Sequence, residues 1–99
     1  MPDFLLSQLA EDDLDDIADY TLTTWGERQA VGHVDGIHSI CRSFAERPGI
    51  GRAHGRSKRG LRRMEYGKHV IFYREIEAGI RVTRILHQSM DVNRHELDV

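Results

Sequence analysis

The apolar residues of this chain change period once, and that change constrains its architecture more than any other feature. Leu14, Ile17, Ala18, Leu22 and Trp25 fall at i, i+3, i+4, i+8 and i+11, and Ala30, Val34, Ile37, Cys41 and Phe44 are spaced by four, three, four and three. Both series are single faces of amphipathic helices. After Pro48 the helical spacing stops. Val70-Ile71-Phe72-Tyr73 is β-rich and apolar on both faces, which predicts a central strand covered on both sides.

The punctuation agrees with the periods. Phe4-Leu5-Leu6 is a short apolar run that predicts a first strand. Ser7 is placed to cap the helix that follows, and Glu11, Asp12 and Asp13 put negative charge in its first turns, where the helix dipole favours it. Gly26 ends that helix. A second helix is expected from about Glu27 to about Ala45, with Gly32 and Gly36 inside it, and Arg47-Pro48-Gly49-Ile50-Gly51 stops it. Two helices joined by so tight a break form an antiparallel hairpin. Strands are expected over Leu61–Tyr66, His69–Ile76 and Ile80–His87, with turns at Gly67-Lys68 and Glu77-Ala78-Gly79. The polar, basic segment Arg52–Gly60 reads as a surface loop, and the tail from Gln88 is polar. Helices segregated from a run of strands define an α+β fold: an N-terminal strand, then a helical hairpin packed on a small antiparallel sheet. With 99 residues there is room for one core, so residues 1–99 are expected to form one domain.

Composition narrows the setting. The single cysteine, Cys41, permits no internal disulfide and suits a reducing compartment. No apolar run approaches membrane-span length, and the first residues have neither a cationic segment nor an apolar stretch of signal-peptide type. These features predict a cytoplasmic protein with no membrane contact. The net charge of −2 conceals an asymmetry. Residues 1–46 carry ten acids and two bases, net −8, and residues 47–99 carry six acids and twelve bases, net +6. The second half is suited to an anionic partner.

Few residues carry a chemical motif. Serine-nucleophile, phosphate-loop and dinucleotide signatures are absent, and no cofactor is expected. His38 and Cys41 lie one helical turn apart near His33, but structural zinc needs four ligands in recognisable pairs and Cys41 falls on the core seam, so no metal site is assigned. Trp25 continues the apolar face of the first helix and is expected in the core. Tyr66 and Tyr73 are also read as packing residues, while Tyr20 lies off the main stripe. The basic stretch Arg52, Arg56, Lys58, Arg59, Arg62 and Arg63 is either a solvated strand edge or a surface for an anionic partner.

Several segments, taken together, resemble the ParE toxins of the RelE/ParE superfamily. They are Asp12-Asp13-Leu14, with Ile17-Ala18 and Tyr20-Thr21; Arg47-Pro48-Gly49-Ile50-Gly51-Arg52; Gly60-Leu61-Arg62-Arg63; Tyr66 through Arg74; and Ile85-Leu86-His87-Gln88-Ser89-Met90-Asp91, with Arg94-His95 beyond it. The stretch Gly32–His38 is less helix-favouring than that pattern. The resemblance implies the same fold and a toxin of a type II toxin–antitoxin pair. It implies inhibition of DNA gyrase by binding, without catalysis, and neutralisation by a ParD-type antitoxin in a heterotetramer or larger assembly. DNA would be met only through the antitoxin or the gyrase. On that reading Arg59, Arg62, Arg63, Arg81 and Arg84 are the expected antitoxin contacts, and His87, Gln88, Met90, Arg94 and His95 the expected target contacts. Two alternatives remain open. One is an mRNA interferase of RelE type, with His87 as its acid, although no aromatic residue follows Tyr73 to stack on a base. The other is a degenerate toxin that retains only antitoxin binding.

Overall fold

The computed structural model describes residues 3–55, 60–90 and 94–97. The elements run β1 (Asp3–Leu6), α1 (Gln8–Trp25), α2 (Glu27–Glu46), a single 3₁₀ turn (Pro48–Ile50), β2 (Arg52–Ala53), β3 (Arg62–Tyr66), β4 (His69–Ile76) and β5 (Gly79–His87). The strands make one sheet in the order β1-β5-β4-β3-β2, and the helical hairpin packs on one of its faces. No helix among the described residues is long and apolar enough to cross a membrane.

The α+β layout is as expected, with one difference in the sheet. β2 to β5 are antiparallel, but β1 pairs with β5 in parallel, from Asp3 opposite Gly79 to Leu6 opposite Val82, so the sheet is mixed. The direction of β1 follows from where the helices return the chain, which no local turn signal encodes. A second difference is that Arg52 and Ala53, expected in a loop, pair with Arg63 and Arg62 as a two-residue edge strand.

Ser7 fixes the start of the hairpin. Its Oγ accepts from the Ala10 amide at 3.0 Å, capping α1, and donates to the Thr83 carbonyl at 2.7 Å, while its own amide donates to the Val82 carbonyl. One buried hydroxyl thus joins β1, α1 and β5. α2 buries Ala30, and its Ile37, Cys41, Phe44 and Ala45 join the core shared with the sheet, where Phe44 stacks on Tyr73 with ring centroids 5.0 Å apart. The Cys41 thiol lies wholly in this core, and burial pushes its pKa up to about 12. Gly36 packs closely, because a Cβ there would meet the Tyr66 hydroxyl and push that ring aside. Gly32 faces open space.

Trp25 departs from expectation: it is 68% exposed, and Leu22 is exposed beside it. α1 buries only Ala10 and Leu14 fully. Its apolar stripe continues, but its last turns lie against little except α2, so the stripe ends as exposed surface.

The core has two parts. Ile71, Tyr73, Ile80, Val82 and Ile85 face the helices. Leu61, Val70, Phe72 and Leu86 form a smaller cluster on the opposite face, closed by Leu97 from the C-terminal tail. That second cluster accounts for the double apolarity of β4. Along β5 the alternation breaks once. Tyr73 pairs with Val82 and Phe72 with Arg84, so Thr83 is an extra residue, a β-bulge. The bulge lets both Val82 and Ile85 face the helices although three positions separate them.

Candidate functional site

Two surfaces carry the exposed chemistry. The first is a groove of about 840 Å³ between the hairpin and the near end of the sheet. β1 ends at Leu6, so beyond Val82 the outer edge of β5 has no strand partner, and α1 passes over the gap. Ile17 of α1 and Ile85 of β5 contribute apolar walls. The rim is large and exposed, with Tyr20 and Trp25 from α1, both 68% exposed, and Met90 after β5. Exposed aromatic and methionine side chains around a concavity are typical of protein-docking surfaces.

Three imidazoles line the same groove, one from each of α2, β4 and β5. The His33 and His69 ring centroids are 5.3 Å apart, and those of His69 and His87 are 5.4 Å apart. Burial pushes the pKa of His69, in the middle, down to about 4, with the proximity of His33 and His87 adding to the effect. Its Nδ1, like Nε2 of His33, is buried with no hydrogen-bond partner. His87 is engaged through Nδ1, which lies 2.6 Å from Ser89 Oγ and accepts from the Ser89 amide at 3.1 Å. Among the described residues, no three or more His, Cys, Asp or Glu side chains are placed to hold a metal ion. His38 packs edge-on against Phe4.

The gap on β5 is closed by an ion pair. The Asp13 carboxylate accepts from Arg84 Nε and Nη2, each at 2.8 Å, and from the Ile85 amide at 3.0 Å. Both side chains are nearly buried, at 11% and 12% exposure. The hydrogen bonds to Asp13 raise the Arg84 pKa against the opposing effect of burial. Arg84 Nη1 donates to the Glu96 carbonyl at 3.1 Å, tying the tail to the sheet.

The second surface is the sheet face away from the helices. Residues paired across strands point to the same side. Arg52, Arg63, Phe72 and Arg84 therefore share this face in one row, and Arg74 and Arg81 share it further along. The Arg63 guanidinium lies 5.8 Å from the Phe72 ring centroid and pairs with Glu65 at 3.4 Å; Arg52 pairs with the same carboxylate.

The expected partner-binding residues divide accordingly. Arg63, Arg81 and Arg84 come together on the helix-free face, where Arg84 is held by Asp13. Arg62 points to the other side, donating from Nη1 to the Gly51 carbonyl at 2.8 Å. Arg59, with Arg56 and Lys58, lies outside the described residues. His87 and Met90 line the groove. Gln88 is exposed beside it, its amide donating to the Lys68 carbonyl, while Arg94 and His95 are not among the groove's lining residues. Sequence reasoning missed His69 as a groove residue and Arg74 as a member of the cationic face. Both follow only from strand register.

Fold and surfaces define a small α+β domain with an aromatic-rimmed groove and an arginine-rich sheet face. Comparison with known proteins gives the family. Residues 4–92 match the family model for the ParE toxin of the type II toxin–antitoxin system parDE. Over 95 residues the chain is 37% identical to Toxin ParE1 of Caulobacter vibrioides, covering 96% of this chain and 98% of that protein. It is 42% identical over 94 residues to Toxin ParE1 of Mycobacterium tuberculosis, covering 93% and 95%. A chain of the chromosomal ParDE system from P. aeruginosa has the same fold, with a TM-score of 0.71 at 23% identity over 88% of this chain and 96% of that one. This chain belongs to the ParE toxin family of type II toxin–antitoxin systems.

Proposed function

We propose that the chain acts in the cytoplasm by binding DNA gyrase and inhibiting it without catalysing a reaction, and that a ParD-type antitoxin silences it. The observation that carries the proposal is the groove. Within a toxin family, a concavity rimmed by exposed Trp25, Tyr20 and Met90 is suited to gripping a protein. In this reading His87 and Met90 belong to the target surface, and Gln88, Arg94 and His95 are further target contacts. The antitoxin takes the opposite side of the sheet, where Arg63 and Arg81 supply charge. A dimeric antitoxin holding two toxin chains gives a heterotetramer.

The experiment is supercoiling by purified gyrase with and without the chain, repeated after adding the antitoxin, beside a translation reaction programmed with intact message. Inhibition with trapped DNA breaks, relieved by the antitoxin, supports the proposal. Cleaved message with normal supercoiling, abolished by His87→Ala, would replace it with the interferase reading. Silence in both assays would leave a domain that binds antitoxin only.

A further inference from the structure

The groove beneath the hairpin is not uniform along α1. Asp16 and Tyr20 both line it and stand one helical turn apart, which places their Cβ atoms about 5–6 Å from each other. Thr21 and Trp25 are the next such pair on its wall. From Tyr20 to Trp25 the helix rises about 7.5 Å. Ile17 and Ile85 give the space between these pairs an apolar lining.

The two carboxylates that α1 brings to the groove differ. Asp13 is committed to Arg84 and to the Ile85 amide. Asp16 is exposed, and among the described residues no cation pairs with it. The Tyr20 ring one turn further on is exposed as well. A free carboxylate beside an exposed ring suits an arginine or lysine side chain, which gains a charge-assisted hydrogen bond and cation–π attraction at one place. The surrounding charge has the same sense. Asp12, Asp15 and Asp19 are exposed on α1, so the field along this helix attracts cations. The central imidazole does not oppose one, because burial pushes the pKa of His69 down to about 4 and leaves it neutral near pH 7. Lys68, which also lines the groove, sits on the turn between β3 and β4 and not on α1.

The separation of Tyr20 and Trp25 sets the spacing of an occupant. In an extended segment every second side chain shares a face, at intervals of about 6.6 Å. A cation held at Tyr20 therefore brings the side chain two residues along against Trp25.

We propose that the groove holds an extended, cationic segment of the toxin's protein target, with an arginine or lysine side chain seated between Asp16 and Tyr20 and an apolar side chain two residues along against Trp25. The proposal rests on the reading that the groove is the target surface, and it names the target's segment by its chemistry.

The test is fluorescence anisotropy with a labelled peptide repeating arginine-serine-leucine-serine, with neither gyrase nor antitoxin present. The chain should bind it, and Asp16→Asn and Tyr20→Ala should each weaken binding about fivefold, with circular dichroism reporting the fold. Tyr20→Phe keeps the ring and should restore most of what Tyr20→Ala loses. Asp15→Asn removes the same charge from an exposed position outside the groove and should change binding less than about twofold. Added salt should weaken the peptide, and glutamate in place of its arginine should abolish binding. Equal losses for Asp15→Asn and Asp16→Asn overturn the proposal, since a diffusely acidic helix would then suffice, and so does equal binding of the glutamate peptide. Asp16→Asn that loses antitoxin binding while inhibiting gyrase normally would assign the groove to the antitoxin and overturn it. Self-association of the chain that Asp16→Asn abolishes would assign it to a second copy, with the same result. Peptide binding that follows Asp16 and Tyr20 without any gyrase inhibition would sink the gyrase reading alone. Inhibition untouched by Asp16→Asn and Tyr20→Ala, with no peptide binding, would sink this inference alone.

Discussion

Replacing Asp13 with alanine tests the account of how the hairpin is fastened to the sheet. The substitution removes three hydrogen-bond acceptances at once, from Arg84 Nε, Arg84 Nη2 and the Ile85 amide. It leaves Arg84 charged at 11% exposure with, among the described residues, the Glu96 carbonyl as its hydrogen-bond partner. Breaking a buried pair by removing one partner costs about 3–5 kcal/mol, since the surviving charge stays desolvated. The orphaned Ile85 amide is part of that loss and is not added to it. Domains of this size are stable by about 5–15 kcal/mol, so Asp13→Ala should remove roughly a fifth or more of the total and lower Tm by at least about 12 °C. Urea unfolding followed by circular dichroism measures it. The double variant Asp13→Leu, Arg84→Met should recover most of the loss, because apolar pairs of similar volume often equal or exceed a buried ion pair. A cost below about 1 kcal/mol for Asp13→Ala, or a double variant as unstable as the two single losses combined, would refute the reasoning.

Three other perturbations separate structural from functional roles. Trp25→Ala should change stability by no more than about 0.5 kcal/mol, because the ring is 68% exposed, yet weaken the toxin at its target at least about tenfold in a titrated inhibition assay. Tyr73→Phe should cost about 1–3 kcal/mol in denaturant, since its hydroxyl donates to the Pro48 carbonyl at 2.9 Å and accepts from the buried Gly51 amide at 2.8 Å. His69 holds its proton more weakly when folded, at about 4 against 6.5 for an ordinary imidazole, so stability is full above about pH 6.5 and is lost as pH falls towards 4. Discounted for the solvent that reaches this half-buried ring, the loss is about 1–2 kcal/mol, and His69→Asn should flatten the profile over that window in pH-dependent urea titrations.

The elements were legible wherever a local signal specified them. Ser7 caps α1 as its position before an acidic first turn predicts, Gly26 separates the helices, and Gly67-Lys68 turns β3 into β4. The seam from Ala30 to Phe44 faces the core, with Val34 only partly buried. What was not legible depends on distant parts of the chain. Trp25 continues an apolar stripe as a core residue would, and only the finite extent of the sheet leaves it outside. Arg84 reads like its neighbours Arg81 and Arg63, and only the fold brings Asp13, 71 positions away, against it. The histidine trio spans α2, β4 and β5, so no spacing within one segment announces it.

The bulge at Thr83 links these hidden features to one another. With strict alternation after Val82, Arg84 would point into the helix-covered core and Ile85 towards the tail, a buried charge exchanged for an exposed isoleucine. The extra residue reverses both. Ile85 becomes a wall of the groove, and Arg84 joins Arg52 and Arg63 in the cationic row while reaching round the open edge of β5 to Asp13. The bulge is held from two sides, by the Thr83 hydroxyl donating to the Phe72 carbonyl at 3.2 Å and by the Thr83 carbonyl accepting from Ser7. The residue that caps α1 therefore also supports the irregularity that sorts apolar from cationic side chains onto the two faces of the sheet. The place of Ile85 in the groove and that of Arg84 in the cationic row are consequences of one local departure from strand geometry, which no spacing in the sequence announces.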